Sequence, residues 1–300
     1  MCHLREYDDA RRLRCMNARS QPPGSRGHHI DLARRNVVPA CAWQAGAAYL
    51  YMLRLDAVCL AWEYLRRNPD YVRDWSVAEL CAGAPATAWG LVALEDPFQD
   101  ARCAQPMWQS THLDVPALVV VDDPSPSSST FSVWAMPGPR SLWRDATRLT
   151  LTVVTFSLPL RIGMPADLSD GDAYGYVIAP GPCAQKHWRH IQACDARLRS
   201  GRQQLQVRAQ PVDRRLLVHM RSLQALDGFL AGASHREIAC ALFGVSRVTN
   251  DWQPDGDLRA QVRFLIRRGR ALMRGGYLAL LGGDPSVSTR RVSRDRGART

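Results

Sequence analysis

The clearest hydrophobic pattern lies in the last third of the chain. Between positions 216 and 230, apolar residues recur every three or four positions. This spacing predicts a helix of about 18 residues with one buried face, ending at Ala231-Gly232. His219 is predicted to lie at the boundary of that face. The apolar face comprises Leu216, Leu217, Met220, Leu223, Leu226, Phe229 and Leu230.

A short second helix is predicted directly afterwards. Ser234 and Glu237 fit a capping box, in which each side chain pairs with the other residue's backbone amide. Gly244 is expected to end this helix. Ser246 is expected to cap a third element that runs to Trp252. Two short helices around a glycine turn predict a helix-turn-helix, although an ordinary αα-hairpin has the same pattern.

The first half of the chain divides into two textures. Residues 41–94 are helical in pattern, with Trp62 and Leu65 at helical spacing from Val58 and a helix end at Asn68-Pro69. Another helix is expected within 69–75 or 76–82. Residues 97–180 instead carry short runs rich in valine and threonine between turn residues, which predicts four or five strands in a meander or small sheet. The expected strands are 117–121, 131–134, 149–156, 159–162 and 174–178.

These patterns predict an α+β protein with three ordered regions. We expect a helical N-terminal domain over 41–97, a β-rich middle region over 98–182 and an all-α helix-turn-helix C-terminal domain over 183–282. The segments 1–40 and 283–300 lack a periodic apolar face, so we expect both to be disordered.

Composition supports a globular cytoplasmic protein. The 300 residues are 46% hydrophobic and 22% charged. No apolar run reaches about 18 residues, so no membrane span is predicted, and the charged N-terminus is unlike a secretory signal. Nine cysteines, an odd number with no C-x-x-C pair, predict free thiols in a reducing compartment.

The positive charge is concentrated at one end of the chain. Lys186 is the sole lysine among 39 basic residues, and the net charge is +11. Residues 186–300 hold 22 basic and 9 acidic residues, a net of +13, whereas residues 1–185 hold 17 and 19, a net of −2. A codon bias would explain the preference for arginine but not its distribution. A nearly neutral N-terminal part and a strongly basic C-terminal part indicate that the C-terminal part binds a polyanion.

A further helix, expected to be capped by Asp257 and to end at Gly275-Gly276, carries a ridge of arginines. No acid interrupts it, and like charges at this spacing destabilise an isolated helix. A phosphate backbone relieves that repulsion, whereas a solvated face usually mixes signs. We therefore favour nucleic acid over a solvated face. The ridge comprises Arg259, Arg263, Arg267, Arg270 and Arg274, with Arg268 beside it.

Two neighbouring segments supply further candidate DNA contacts. Ser234, His235 and Arg236 lie at the first turn of a helix, where phosphates bind favourably. Arg247, Thr249 and Asn250 carry side chains that read base edges.

Other chemistry finds little support in the sequence. Walker, G-x-S-x-G, H-E-x-x-H and dinucleotide-binding motifs are absent, so no enzyme and no cofactor is predicted. Four metal-type residues occur at short spacing, but on one helix the outer two would be about 16 Å apart, too far to share an ion. They are Cys183, His187, His190 and Cys194. Tryptophans are expected to pack in the core rather than to stack on bases.

Two segments resemble known families. Four runs in the last third of the chain form the first of these segments. They are LDGFLAGASHREIA at 226–239, ALFG at 241–244, LRAQVRFLIRRGR at 258–270 and MRGGYLALL at 273–281. Together they resemble the RovC-like DNA-binding domain family, over about residues 185–282. That family takes its name from a transcription factor for type VI secretion genes. The run AWEYLRRNPDYVRDW at 61–75 is similar to a transcriptional-regulator-like domain often found ahead of it.

The resemblance implies a bacterial regulator that binds double-stranded DNA and controls excision or transfer genes of an integrative and conjugative element. We further expect the N-terminal domain to mediate partner contacts, either self-association as a homodimer or binding to a regulatory protein such as an anti-activator. We expect a cytoplasmic, nucleoid-associated protein. Two alternatives stay open at this point: an adaptor whose basic face meets an acidic protein, and a binder of single-stranded RNA.

Overall fold

Helices from both ends of the chain and a five-stranded sheet from its middle form the described structure. The computed structural model describes residues 42–78, 86–113, 115–125, 128–134, 139–144, 148–153, 160–177, 213–254 and 256–282, with four single positions between 188 and 195. The predicted tails and the four metal-type residues lie outside the described residues.

The first helical segment has two α-helices, each capped by a local side chain. A 3₁₀ helix spans Gly46–Arg54, and helix α1 spans Ala57–Leu65. Asp56 caps α1, its carboxylate accepting a hydrogen bond from the Cys59 amide at 2.7 Å. Helix α2 spans Pro69–Ala78, and a second 3₁₀ helix spans Ala86–Trp89. The break between α1 and α2 falls at Asn68-Pro69, as predicted.

The middle segment is a mixed sheet. Its strands are β1 (Ala117–Val120), β2 (Arg140–Arg144), β3 (Leu149–Val153), β4 (Leu160–Met164) and β5 (Tyr174–Val177). The order is β2-β3-β4-β1-β5. Strands β2, β3 and β4 pair antiparallel, β1 joins β4 in parallel, and β5 pairs antiparallel with β1.

Two details of the predicted strand assignment are wrong. Phe131 is buried, but residues 131–134 form no strand, because they bond to the loop at 169–172. The Phe131 amide donates to the Asp172 carbonyl, and the Val133 amide donates to the Asp170 carboxylate. Strand β2 was not predicted. It alternates exposed and half-buried residues and lies at one end of the strand order. Its hydrophobic pattern is therefore weak, and it is recognised as a strand by its pairing with β3.

The C-terminal segment is entirely helical where it is described. Helix α3 spans Arg214–Leu230, α4 spans His235–Phe243 and α5 spans Val245–Asp251. Helix α6 spans Asp257–Ala271, a π-helical turn follows at Leu272–Gly276, and α7 spans Leu278–Leu281. Asp257 was expected to cap α6, but Gly256 occupies the cap position. The predicted α+β fold class is confirmed.

Helices α1 and α3 share one hydrophobic core despite their separation in sequence. Trp62 and Leu65 of α1 are fully buried, as are Leu223 and Leu226 of α3, and all four belong to one cluster. Helix α3 packs on the first 3₁₀ helix on one side and on α6 on another, and α1 packs on α7. The two helical segments therefore form one body.

Candidate nucleic-acid interface

The start of α4 is fixed by a capping box, as predicted. The Glu237 amide donates to Ser234 Oγ at 3.3 Å, and the Ser234 amide donates to Glu237 Oε2 at 2.7 Å. The hydrogen bonds with Ser234 lower the pKa of Glu237. Ile238 and Ala239 are buried behind this turn, whereas Ser234 and Arg236 are exposed and His235 is half-buried. The cap thus presents the first turn of α4 to solvent.

A single residue, Gly244, joins α4 to α5. It ends α4 and also precedes the first residue of α5. Its φ of 89° lies in a region that side-chain-bearing residues rarely adopt. The prediction that Ser246 caps α5 is wrong: the helix begins at Val245, so Ser246 lies within it. One residue is enough for the turn because glycine can reverse the backbone direction there.

Helix α5 turns its polar side chains outward. Val248 is buried, so Arg247, Thr249 and Asn250 are all exposed. Arg247 lies over the Phe243 ring, 5.8 Å from its centre. Thr249 Oγ1 donates to the Val245 carbonyl at 3.0 Å. The exposed face of α5 therefore offers a guanidinium, a hydroxyl and an amide.

Helix α6 presses a glycine against α3. A Cβ at Gly269 would come within 2.8 Å of the Ser222 carbonyl oxygen, so a side chain there would separate the helices. Leu258, Val262 and Leu265 continue the buried face of α6. Gly269 is therefore the point of close approach between α6 and α3.

The ridge forms one wall of a groove. This groove has a volume of about 440 Å³, and no acidic side chain is among its described lining. Phe229 at the end of α3 and His235 at the start of α4 complete it. The basic lining comprises His235, Arg263, Arg267, Arg270 and Arg274. The fold therefore brings two of the predicted contact segments together.

Within the groove, Arg270 differs from its neighbours. Its guanidinium carbon lies 4.7 Å from the centre of the Phe229 ring, and its side chain is half-buried. Arg263, Arg267 and Arg274 are exposed. Stacking of this kind attracts the cation to the ring face.

Four other predicted arginines lie outside the groove lining, one of them Arg247 of α5. Arg236 is exposed on α4. Arg259 is half-buried and donates to the Pro254 carbonyl at 3.2 Å. Arg268 is half-buried and reaches His219 Nε2 at 3.2 Å. The residues of α5 are also outside the lining, so they form a separate exposed surface.

The contact with Arg268 belongs to a buried chain of hydrogen bonds. His219 is fully buried, not at the boundary as predicted, and its Nδ1 lies 2.9 Å from the Tyr64 hydroxyl. Arginine only donates, so Nε2 accepts from Arg268 and Nδ1 carries the proton toward Tyr64. Partners from α1 and α6 satisfy both ring nitrogens, which explains why this histidine is buried.

A second buried network joins α1 to α3. Arg67 donates to both carboxylate oxygens of Asp227, at 2.6 and 2.9 Å, and to Glu63 Oε2 at 2.6 Å. The Tyr49 hydroxyl donates to Asp227 at 2.6 Å. Burial alone would lower the pKa of Arg67, but the charges of Asp227 and Glu63 outweigh it and raise the pKa. The sequence reasoning missed this pair, although both residues lie in the quoted family motifs.

These motifs correspond to two family matches. Residues 177–282 match the family described as the type VI secretion system (T6SS) transcription factor DNA-binding domain. Residues 42–93 match the proteobacterial transcriptional regulator-like domain. The resemblance of both segments is confirmed. The DNA-binding-domain match covers α3 to α7 and with them every predicted contact residue. No curated protein matches the chain.

No helix among the described residues is long and apolar enough to cross a membrane. No group of three or more metal-ligating side chains was found in the same part of the chain.

Proposed function

We propose that this protein is a bacterial transcription regulator that binds duplex DNA through α4, α5 and α6. The family descriptions indicate a transcription factor with a DNA-binding domain and favour a non-enzymatic role. The observation that carries the proposal is the groove in which four arginines and His235 converge. A concave surface of one charge sign concentrates counter-charged ligands, and the phosphate backbone of DNA supplies that charge.

The contacts divide by chemistry. Arginines of the groove, together with Arg259 and Arg268 on the same helix, are assigned to backbone phosphates, which position the protein. Ser234, His235 and Arg236 are assigned to a neighbouring phosphate. Arg247, Thr249 and Asn250 are assigned to base edges, because guanidinium, hydroxyl and amide groups recognise bases in the major groove. In this proposal α4, Gly244 and α5 act as a helix-turn-helix.

The regulated genes, the cellular location and the partners of the protein stay predictions. Control of excision or transfer genes of an integrative and conjugative element rests on the family resemblance. The cytoplasmic location rests on the composition and the cysteine pattern. Nucleoid association and a homodimer or regulatory partner held through the N-terminal segment are further predictions.

The test is a salt series with the full chain. Affinity is measured for random duplex DNA and for duplex DNA from upstream of the gene. The full chain is required because α3 shares its core with α1. The double variant Arg263→Ala/Arg267→Ala should weaken binding to both DNAs and flatten the plot of log affinity against log salt by about 0.9 per lost contact.

The control variant removes the same charge elsewhere. Arg73 on α2 and Arg144 on β2 are exposed, and replacing both with Ala should leave the salt slope unchanged. An equal loss of slope in both double variants would remove the groove assignment. Absence of binding to either DNA at low salt would favour the adaptor. Preference for single strands that depends on the tryptophans would favour RNA.

A further inference from the structure

One arginine of the groove lies over an aromatic ring. The Phe229 ring lies against the Arg270 guanidinium at 4.7 Å, and both side chains line the groove. Phe229 is itself held at the end of α3 against the cluster that includes Ile238 and Val262. The ring is therefore fixed by its packing on the core and supports the guanidinium.

The contact leaves N–H donors of the guanidinium for a ligand. The group is planar and carries five N–H donors, more than one neighbouring ring can cover. Two of these donors fit two oxygens of one phosphate. Because stacking restricts Arg270 before any ligand binds, less side-chain entropy is lost on binding than for an exposed arginine.

The remaining arginines are suited to a different task. Arg263, Arg267 and Arg274 are exposed and contribute positive charge from a range of positions. Their contribution should appear in the salt dependence, which counts neutralised phosphates. The contribution of the Arg270 guanidinium, which Phe229 supports, should appear as a change in DNA affinity between variants of equal charge.

We infer that Arg270, held by Phe229, is the anchoring contact to a phosphate group in the groove, whereas the exposed arginines supply charge. The inference rests on the proposed function, which makes the backbone of duplex DNA the source of that phosphate.

The test compares variants that keep or remove charge, in the full chain. Phe229→Leu and Arg270→Lys keep the charge but remove the support or the planar fork. Each should lower DNA affinity about three- to tenfold, the range that a cation–π contact supplies, with an unchanged salt slope. Arg263→Gln removes a charge and should reduce the slope by about 0.9.

A double-mutant cycle separates this role from general packing. If Phe229 acts through Arg270, adding Phe229→Leu to Arg270→Lys should lower the affinity little further. Additive losses would mean that Phe229 acts independently and would overturn the inference. Phe264→Leu is the matched control: this phenylalanine is exposed on α6 outside the groove lining, so its replacement should leave affinity unchanged.

The outcomes distinguish the inference from the proposed function. Loss of affinity in Arg263→Gln but not in Phe229→Leu or Arg270→Lys would overturn the anchoring role and leave DNA binding intact. No loss in any of the three would count against DNA binding through the groove itself.

A final arm distinguishes the two sources of phosphate. Inorganic pyrophosphate is titrated into the full chain without DNA, using calorimetry. Weak binding, in the millimolar range or above, is expected if the groove takes phosphates of a duplex held by many contacts. Micromolar binding that Arg270→Lys abolishes would make a free phosphate compound the ligand and would overturn the assignment to the DNA backbone.

Discussion

Arg67 and Asp227 lie 160 residues apart in sequence and form a bidentate ion pair in the core, with N–O distances of 2.6 and 2.9 Å. Their side chains are 2% and 4% exposed. One belongs to the segment that matches a regulator-like domain and the other to the segment that matches a DNA-binding domain. The pair therefore connects the two family segments inside the core that they share.

Removing one partner should be costly because it leaves a buried charge uncompensated. Arg67→Met and Asp227→Asn should each lower the free energy of unfolding by about 3–5 kcal/mol, measured by urea denaturation. Arg73→Gln provides the comparison, since Arg73 and Asp70 are 66% and 63% exposed and such pairs contribute about 0–1 kcal/mol. Similar losses at both sites would contradict a buried, structural pair.

Acid should weaken the same network through Glu63. Burial alone raises the pKa of Glu63, but Arg67 and Arg66 outweigh it and hold the pKa below 4.5. A lowered folded-state pKa means that the stabilisation is complete above 4.5 and is lost as pH falls through the folded value. Glu63→Gln should be less stable at pH 7, and its stability should fall less steeply below pH 4.5, by up to about 1.4 kcal/mol per pH unit. A wild-type slope for Glu63→Gln in the same urea titrations would contradict this role of Glu63.

The Cys59 thiol should resist alkylation. Burial and the charge of Asp56 raise its pKa to about 12, so little thiolate forms at pH 8. Cys103 is exposed and should react first with iodoacetamide, as followed by peptide mass spectrometry. Equal rates at the two cysteines would mean that α1 opens readily. Arg161, which pairs with Asp56 at 2.5 Å, connects this thiol to β4.

Gly269→Ala should destabilise the protein although the same change usually stabilises a helix. The added Cβ would lie 2.8 Å from the Ser222 carbonyl and 3.0 Å from Leu226 Cβ, so α3 and α6 must separate. Overpacking of this kind costs about 1–3 kcal/mol, whereas the change stabilises an unhindered helix by about 0.5–1 kcal/mol. Urea unfolding gives the sign directly, with the exposed Gln261→Ala as a control.

Asn250→Ala should relax sequence preference without altering the charge-dependent part of binding. If Asn250 contacts a base, its loss should weaken binding to the upstream site by about 1–3 kcal/mol and leave binding to random DNA and the salt slope as they were. Gln253→Ala is the control, because Gln253 is exposed just beyond α5. A uniform loss across both DNAs would instead mark Asn250 as a backbone contact.

Local signals predicted the C-terminal helices well. The capping box at Ser234 and the glycine at position 244 act within a few residues, so the sequence alone specifies them. The burial of His219 depends on Tyr64 and Arg268, which are distant in sequence, and no local pattern could indicate it. Glu63 and Arg67 likewise have the spacing of a solvated i,i+4 pair. Contacts from distant segments, such as Asp227 with Arg67 and the Ala101 amide with Glu63, make that pair part of the core.

The groove could be predicted in part. Periodicity placed the arginines on one ridge, but the spacing could not show that His235 and Phe229 form the facing wall, because that requires α3, α4 and α6 to pack together. Nor could it show that Arg268 turns toward His219 while its neighbour Arg267 faces the groove.

The shared core of α1 and α3 has a consequence for exchanging parts between relatives. The helical body is formed by two segments of the chain, one before the sheet and one after it in sequence. A chimera that transplants residues 177–282 alone would carry only part of the shared core, with Asp227 lacking its arginine. The transferable unit is the helical body as a whole, with residues 46–78 and 86–113 included, because Leu91 and Trp108 are also fully buried in its core.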